Sequence, residues 1–209
     1  FVYASTARGL GVFDIYRGTI DGTSELIVES ELGLAARSIS PDGKYALVTE
    51  QVGEDANNLY LLDLQTKQMT TISKPPIEER AEHILGGFEW MPNSSGFYFA
   101  TNAEREFGTL AFYSMESGGF ERVFEAEGDV AQADVENLEL CGNESEGSYL
   151  YWTQNNDGFD TLHGWQIIEK RPIEMPQLPE GNYYLDCEAD GELLVRVNGW
   201  QTPGELWMT

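Results

Sequence analysis

The chain has 209 residues, 41% of them hydrophobic and 12% aromatic, which is enough apolar material for a packed globular core and argues against disorder. Lys and Arg number 12 against 36 Asp and Glu, a net charge of -24 with a pI near 4.1. A field of that sign repels phosphate backbones and anionic lipid surfaces, so nucleic acid and membrane are excluded as expected partners, and no stretch approaches the roughly 20 apolar residues of a membrane-spanning helix. The acids are spread along the chain, as a solubilising surface requires.

The first elements in chain order are "FVYAST", "VFDIYRGTI" and "SELIVES", three short strand-like runs from Phe1 onward. The chain thus opens inside an apolar run, with no signal peptide, as an interior or processed segment does. Next comes "ARSIS", then Ser40-Pro41-Asp42-Gly43, then "KYALVTEQ". Pro41 presets the first turn position and Gly43 tolerates positive φ, so this reads as a hairpin. "NNLYLLDL" and "QMTTIS" complete a set of four strands, about 36–40, 45–51, 59–64 and 68–73. The next set falls at about 85–91, 97–102, 109–115 and 120–125. Between the two sets lies "IEERAEHIL", the only helix candidate, read as a long loop with one helical turn.

The pattern recurs. Turn glycines Gly43, Gly96, Gly147 and Gly191 are spaced by 53, 51 and 44 residues. A second anchor, an aliphatic residue opening the third strand of each set, falls at Ile15, Leu59, Leu110, Leu162 and Leu206, spaced by 44, 51, 52 and 44. Several strands carry apolar residues on both faces, for example Tyr45, Leu47 with Ala46, Val48, which is what a sheet buried on both sides requires. Four antiparallel strands repeated every 40 to 50 residues indicate a β-propeller, in which no blade covers its own two faces. The fold expected is all-β: an arc of four-stranded antiparallel blades, three complete and two partial. The blades are set at about 1–34 (partial), 35–76, 77–129, 130–181 and 182–209 (partial). The first lacks an inner strand and the last stops in its third, so the chain is expected to be an interior arc of a larger propeller.

Candidate chemistry is sparse. No Gly-x-Ser-x-Gly elbow occurs; Gly142 to Gly147 has the wrong spacing. The two histidines are His83, in an inter-blade loop, and His163, at the position that Tyr16 and Tyr60 fill elsewhere, expected to be a packing ring. "TQNNDGFDT" fails the EF-hand pattern and reads as turn chemistry. Asn93-Ser94-Ser95 and Asn143-Glu144-Ser145 match glycosylation sequons but sit in turns. Cys141 and Cys187, in no Cys-x-x-Cys pair, are expected to be free buried thiols. The five Trp are expected in inter-blade core, with Trp200, in a loop, the most exposed. No catalytic, metal or cofactor-binding residue is predicted, and no cofactor. The compartment stays open, the cytoplasm slightly favoured over the periplasm.

"SPDGKYALVTE…NNLYLLDLQTKQMTTIS" and "VFDIYRGTIDG" resemble the repeat shared by the Tol-system periplasmic propeller and the prolyl oligopeptidase family of serine peptidases. "TPGELWM" is similar to a late blade of acylaminoacyl-peptidase-like members. The peptidase resemblance implies a non-catalytic propeller that restricts access of short peptides to a separate α/β-hydrolase domain carrying Ser, Asp and His. Its partners would be that domain, the remainder of its own propeller and peptide substrates. The alternative is a non-enzymatic TolB-like propeller acting as a protein-binding scaffold.

Overall fold

A computed structural model describes residues 1–53, 56–73, 85–103, 107–124, 134–143, 147–187, 192–201 and 203–208. The helix candidate before Leu85, His83, Gly191 and most of the second sequon lie outside these residues. Among the described residues there is no helix. Five antiparallel sheets follow one another along the chain. The first holds β1 (Val2–Ser5), β2 (Asp14–Gly18) and β3 (Ser24–Val28), and the second β4 (Leu34–Ile39), β5 (Tyr45–Gln51), β6 (Asn57–Asp63) and β7 (Met69–Ser73). The third holds β8 (Leu85–Trp90), β9 (Gly96–Thr101), β10 (Thr109–Ser114) and β11 (Gly119–Phe124). The fourth holds β12 (Asp134–Asn143), β13 (Gly147–Asn156), β14 (Phe159–Gln166) and β15 (Arg171–Ile173), and the fifth β16 (Asn182–Cys187), β17 (Leu193–Asn198) and β18 (Pro203–Met208). Each sheet is a meander in sequence order, so every connection within it is a hairpin. The expected arc of three complete and two partial blades is the architecture observed.

The two-sided apolar pattern has a direct structural cause. On β5, Ala46 and Val48 join Ile15 and Ile27 in one core, whereas Leu47 joins Phe97, Phe99 and Ala111 in another. The next sheet repeats this: Phe97 and Phe99 face back to the second sheet, and Tyr98 packs with Leu150 and Trp152 of the fourth. Tyr151 in turn packs with Val195 and Val197 of the fifth. The period-two alternation of a strand therefore distributes one residue to each neighbouring sheet. At about 25 cal/mol per Å² of apolar surface removed from water, these shared interfaces are what hold each sheet in place.

The ladder of aliphatics marks one recurring position. Ile15, Leu59, Leu110 and Leu162 are all buried against the sheet that follows. Polar latches reinforce the joins. The Asp14 carboxylate, fully buried, accepts from Arg8 Nε and Nη2, each at 2.9 Å, and from the Ser30 backbone N–H at 2.8 Å, fixing the link into the second sheet. Asp160 Oδ2 accepts the Tyr183 backbone N–H at 2.6 Å, fixing the link into the fifth.

Two expectations are corrected. Gly96 is not the turn glycine of its sheet. The left-handed residue equivalent to Gly43 (φ 70°) is Ser94 (φ 58°), and the Ser94 hydroxyl accepts the Asp42 backbone N–H at 3.1 Å across to the preceding hairpin. Gly96 opens β9 because a side chain would not fit there: a Cβ would lie 2.2 Å from the Tyr113 carbonyl oxygen and 2.4 Å from the Phe112 ring. Gly147 likewise opens β13. The cysteines are not free thiols either. Cys141 and Cys187 form a disulfide with Cα atoms 5.5 Å apart, because Cys141 on β12 faces the fifth sheet and Cys187 on β16 faces the fourth.

Candidate functional site: carboxylates on the inner strands

β4, β8, β12 and β16 lie side by side along one edge of the arc, while among the described residues the opposite edges make no comparable contact. This convergence identifies them as the inner strands, the edge that lines the central channel of a propeller. They place acids at one recurring position. Glu89 on β8 lies across from Tyr98, Glu139 on β12 across from Tyr151, and Asp186 on β16 across from Leu194. Tyr98 and Tyr151 face the following sheet, so each carboxylate leans toward the next inner strand.

The electrostatics follow from that staircase. Burial, then repulsion from Glu139, raises Glu89 to about 7, partly opposed by a hydrogen bond that its carboxylate accepts from the Leu140 backbone N–H. Burial, then repulsion from Asp186, raises Glu139 to about 7. Two inner-strand carboxyls therefore exchange protons near neutral pH. Ionised, they attract an ammonium group; protonated, they donate to a carbonyl. Among the described residues no group of three or more His, Cys, Asp or Glu is arranged to hold a metal ion. The Cys141–Cys187 bridge joins β12 to β16 just beyond Glu139 and Asp186 and pins this part of the inner edge.

The other sequence candidates fall elsewhere. His163 stands beside Trp152 across the strand pair and stacks on it at 5.4 Å with 13° between the rings, the packing role expected of it. "TQNNDGFDT" forms the β13–β14 hairpin, whose turn residues Asp157 (φ 51°) and Gly158 (φ 88°) are both left-handed, the geometry of a two-residue type I′ turn. Asn93-Ser94-Ser95 is the β8–β9 turn. Trp200 is 81% exposed, whereas Trp90 and Trp152 are buried. The inner-strand acids were missed in the sequence. Their signal is an acid at the same place in three successive repeats, which only register makes visible.

No family model matches the chain, and no curated protein matches it. Solved structures do. One, from a study of two prolyl endopeptidases and inter-domain dynamics, superposes at a TM-score of 0.76 with 16% identity, covering 100% of this chain and 31% of that one. Prolyl oligopeptidase B from Galerina marginata, bound to a 35mer substrate, gives 0.72 with 15% identity over 100% of this chain and 30% of that one. TolB from Acinetobacter baumannii gives 0.58 with 19% identity over 98% of this chain and 52% of that one. The chain thus spans about a third of the length of the two peptidases. At these identities the likeness is one of fold. The chain is a β-propeller arc whose structural neighbours are the propellers of prolyl oligopeptidases and of TolB.

Proposed function

We propose that the chain is the non-catalytic propeller portion of a serine peptidase of the prolyl oligopeptidase family, within its acylaminoacyl-peptidase-like branch. Its role is to restrict access of short peptides to a separate α/β-hydrolase domain, with the rest of the propeller as its other partner. The observation that carries this reading is the column Glu89, Glu139 and Asp186 on three neighbouring inner strands. A ring of narrow bore excludes folded proteins, and a carboxylate-lined edge draws in the ammonium group of a free peptide amino terminus. The whole-chain superposition on two peptidases, closer than that on TolB, supports the same reading.

The test has two arms. The parent gene is expected to encode a Gly-x-Ser-x-Gly segment within about 150 residues downstream; a stop codon soon after the last blade would favour the TolB-like binding scaffold instead. Titrating the chain with a short peptide, with and without an acetylated amino terminus, is expected to show tighter binding of the free amine at pH 8 than at pH 6. Equal binding of both peptides removes the amino-terminus role. The chain alone is expected to turn over no aminoacyl or acyl-peptide chromogenic substrate.

A further inference from the structure

The join between sheets four and five is held differently at the two ends of β16. At its start, Asp160 Oδ2 accepts the Tyr183 backbone N–H at 2.6 Å and Asn137 Nδ2 donates to the Tyr183 carbonyl at 2.9 Å. The Asp160 backbone N–H also donates to the Gly181 carbonyl at 2.9 Å. At its end, the disulfide ties Cys187 to Cys141 on β12.

That bond also holds like charges together. Glu139 and Cys141 sit across from Tyr151 and Tyr149, so they share one face of β12, the face turned to sheet five. Asp186 immediately precedes Cys187 on β16. Closing Cys141 on Cys187 therefore keeps Asp186 near the half-buried Glu139, where its repulsion adds to burial in holding the Glu139 carboxyl up at about 7. The strands packed against β12 bring further ionisable groups. Glu89 on β8 repels Glu139 in turn, and Tyr149 and Tyr151 on β13 flank it. The Tyr183 hydroxyl on β16 donates to the Pro179 carbonyl. Tyr98 on β9 packs with Leu140 on the opposite face of β12. Beyond Asp186, the Arg196 guanidinium lies over the Tyr184 ring at 4.5 Å.

We propose that the Cys141–Cys187 bridge is a redox-sensitive clasp on the inner edge: reduction frees the Cys187 end of β16 while its Tyr183 end stays latched, and the strand carries Asp186 away from Glu139. Cys187 is half-buried and Cys141 buried, so a dithiol reductant attacks at Cys187 Sγ and Cys141 leaves as the thiolate. The second thiol of the reductant then displaces Cys187 as its own disulfide closes. Two electrons pass to the protein, and the dithiol's two protons end on the two cysteines. Opening makes Glu139 more acidic, so a redox signal becomes a negative charge on the inner edge. The clasp requires neither a hydrolase domain nor a bound peptide, and it stands or falls apart from the peptidase reading.

Reciprocity between the two events supplies the test. Exchange with dithiothreitol moves no net protons while the thiols stay below their pKa of about 8.5. Any rise of the exchange constant with pH below that value therefore reports a group that loses a proton on reduction. The whole chain is equilibrated with reduced and oxidised dithiothreitol, approached from both sides, and the bridged fraction is read by alkylation and mass. With Glu139 at least about tenfold more acidic in the open form, the constant for reduction should rise at least about fivefold from pH 5.5 to pH 7.5. In Glu139→Gln it should stay within about twofold. Carbon NMR of the Glu139 carboxyl should show a lower titration midpoint in the double variant Cys141→Ser with Cys187→Ser than in the bridged chain, with the Leu162 and Val195 methyl signals kept. Equal pH profiles in the parent and Glu139→Gln, or an unmoved Glu139 midpoint in the serine variant, would overturn the proposal. Loss of those methyl signals would do so too, because the whole join would then have opened.

Discussion

Leu162 and Leu206 hold the same place in successive sheets, one on β14 and the other on β18, yet the first is 7% exposed and the second 65%. Leu162 packs into the core between sheets four and five; among the described residues no sheet covers Leu206. Burial at this position therefore comes from the next sheet and not from the leucine's own. Truncation should follow that rule. Leu59→Ala, fully buried between sheets two and three, is expected to cost about 2–5 kcal/mol in denaturant unfolding. Leu206→Ala is expected to cost less than about 0.5 kcal/mol in the chain as it stands. Equal losses would contradict the stacking account.

The disulfide gives a second prediction. Cys141 and Cys187 are 46 residues apart, and a crosslink closing a loop of that size is worth about 2–4 kcal/mol. Reduction, or the double change Cys141→Ser with Cys187→Ser, should lower the urea midpoint by a corresponding amount. Thiol labelling of the untreated protein under denaturing conditions should find no free thiol. Because such bridges persist in oxidising compartments, protein made in a reducing cytosol should show the lower midpoint until it is oxidised.

The pH dependence has a definite sign. Glu89 and Glu139 titrate near 7 in the folded chain against an ordinary 4.5, so between those values the folded state holds more protons than the unfolded one. Their contribution is therefore fully present below about pH 4.5 and is lost as pH rises through 7. Asp14 acts in the opposite direction. The Arg8 side-chain hydrogen bonds and the Ser30 backbone N–H hold it below 3.8, so its contribution is present above that value and lost as pH falls. Stability should peak at roughly pH 4 to 6. Glu89→Gln keeps an acceptor for the Leu140 N–H and removes the charge, so it should raise the urea midpoint at pH 8 relative to the parent and leave it little changed at pH 5. The exposed Glu116→Gln should do neither. A Glu89→Gln profile parallel to the parent's would show that burial and Glu139 do not raise Glu89 above its ordinary range.

Gly96 and Gly43 should separate sterics from backbone conformation. Gly96→Ala places a methyl against the Tyr113 carbonyl and the Phe112 ring, an overpacking expected to cost about 3 kcal/mol or more. Gly43→Ala meets nothing within 4 Å and suffers only its left-handed φ, expected to cost about 1 kcal/mol. Thermal unfolding of the two variants should rank them in that order.

These contrasts show what a sequence carries. The propeller was legible because Ile15, Leu59, Leu110 and Leu162 answer to one repeated burial demand, and strand alternation records both neighbours of each sheet. The turn position in sheet three was misread because a serine took the left-handed conformation that glycine usually supplies, while the nearby glycine was needed for close packing. The disulfide left no local mark, since Cys141 and Cys187 face each other only when β12 and β16 lie side by side. The acid column is also a property of register between sheets, and a strand-by-strand reading does not reach it.

Methyl-resolved nuclear Overhauser contacts from the adjacent residues Leu47 and Val48 test the central claim most directly. The radial arrangement predicts that Leu47 methyls see Phe99 and Ala111 of sheet three, while Val48 methyls see Ile15 and Ile27 of sheet one. Contacts from only one of the two residues, with the other facing water, would mean a two-layer sandwich and would contradict the arc.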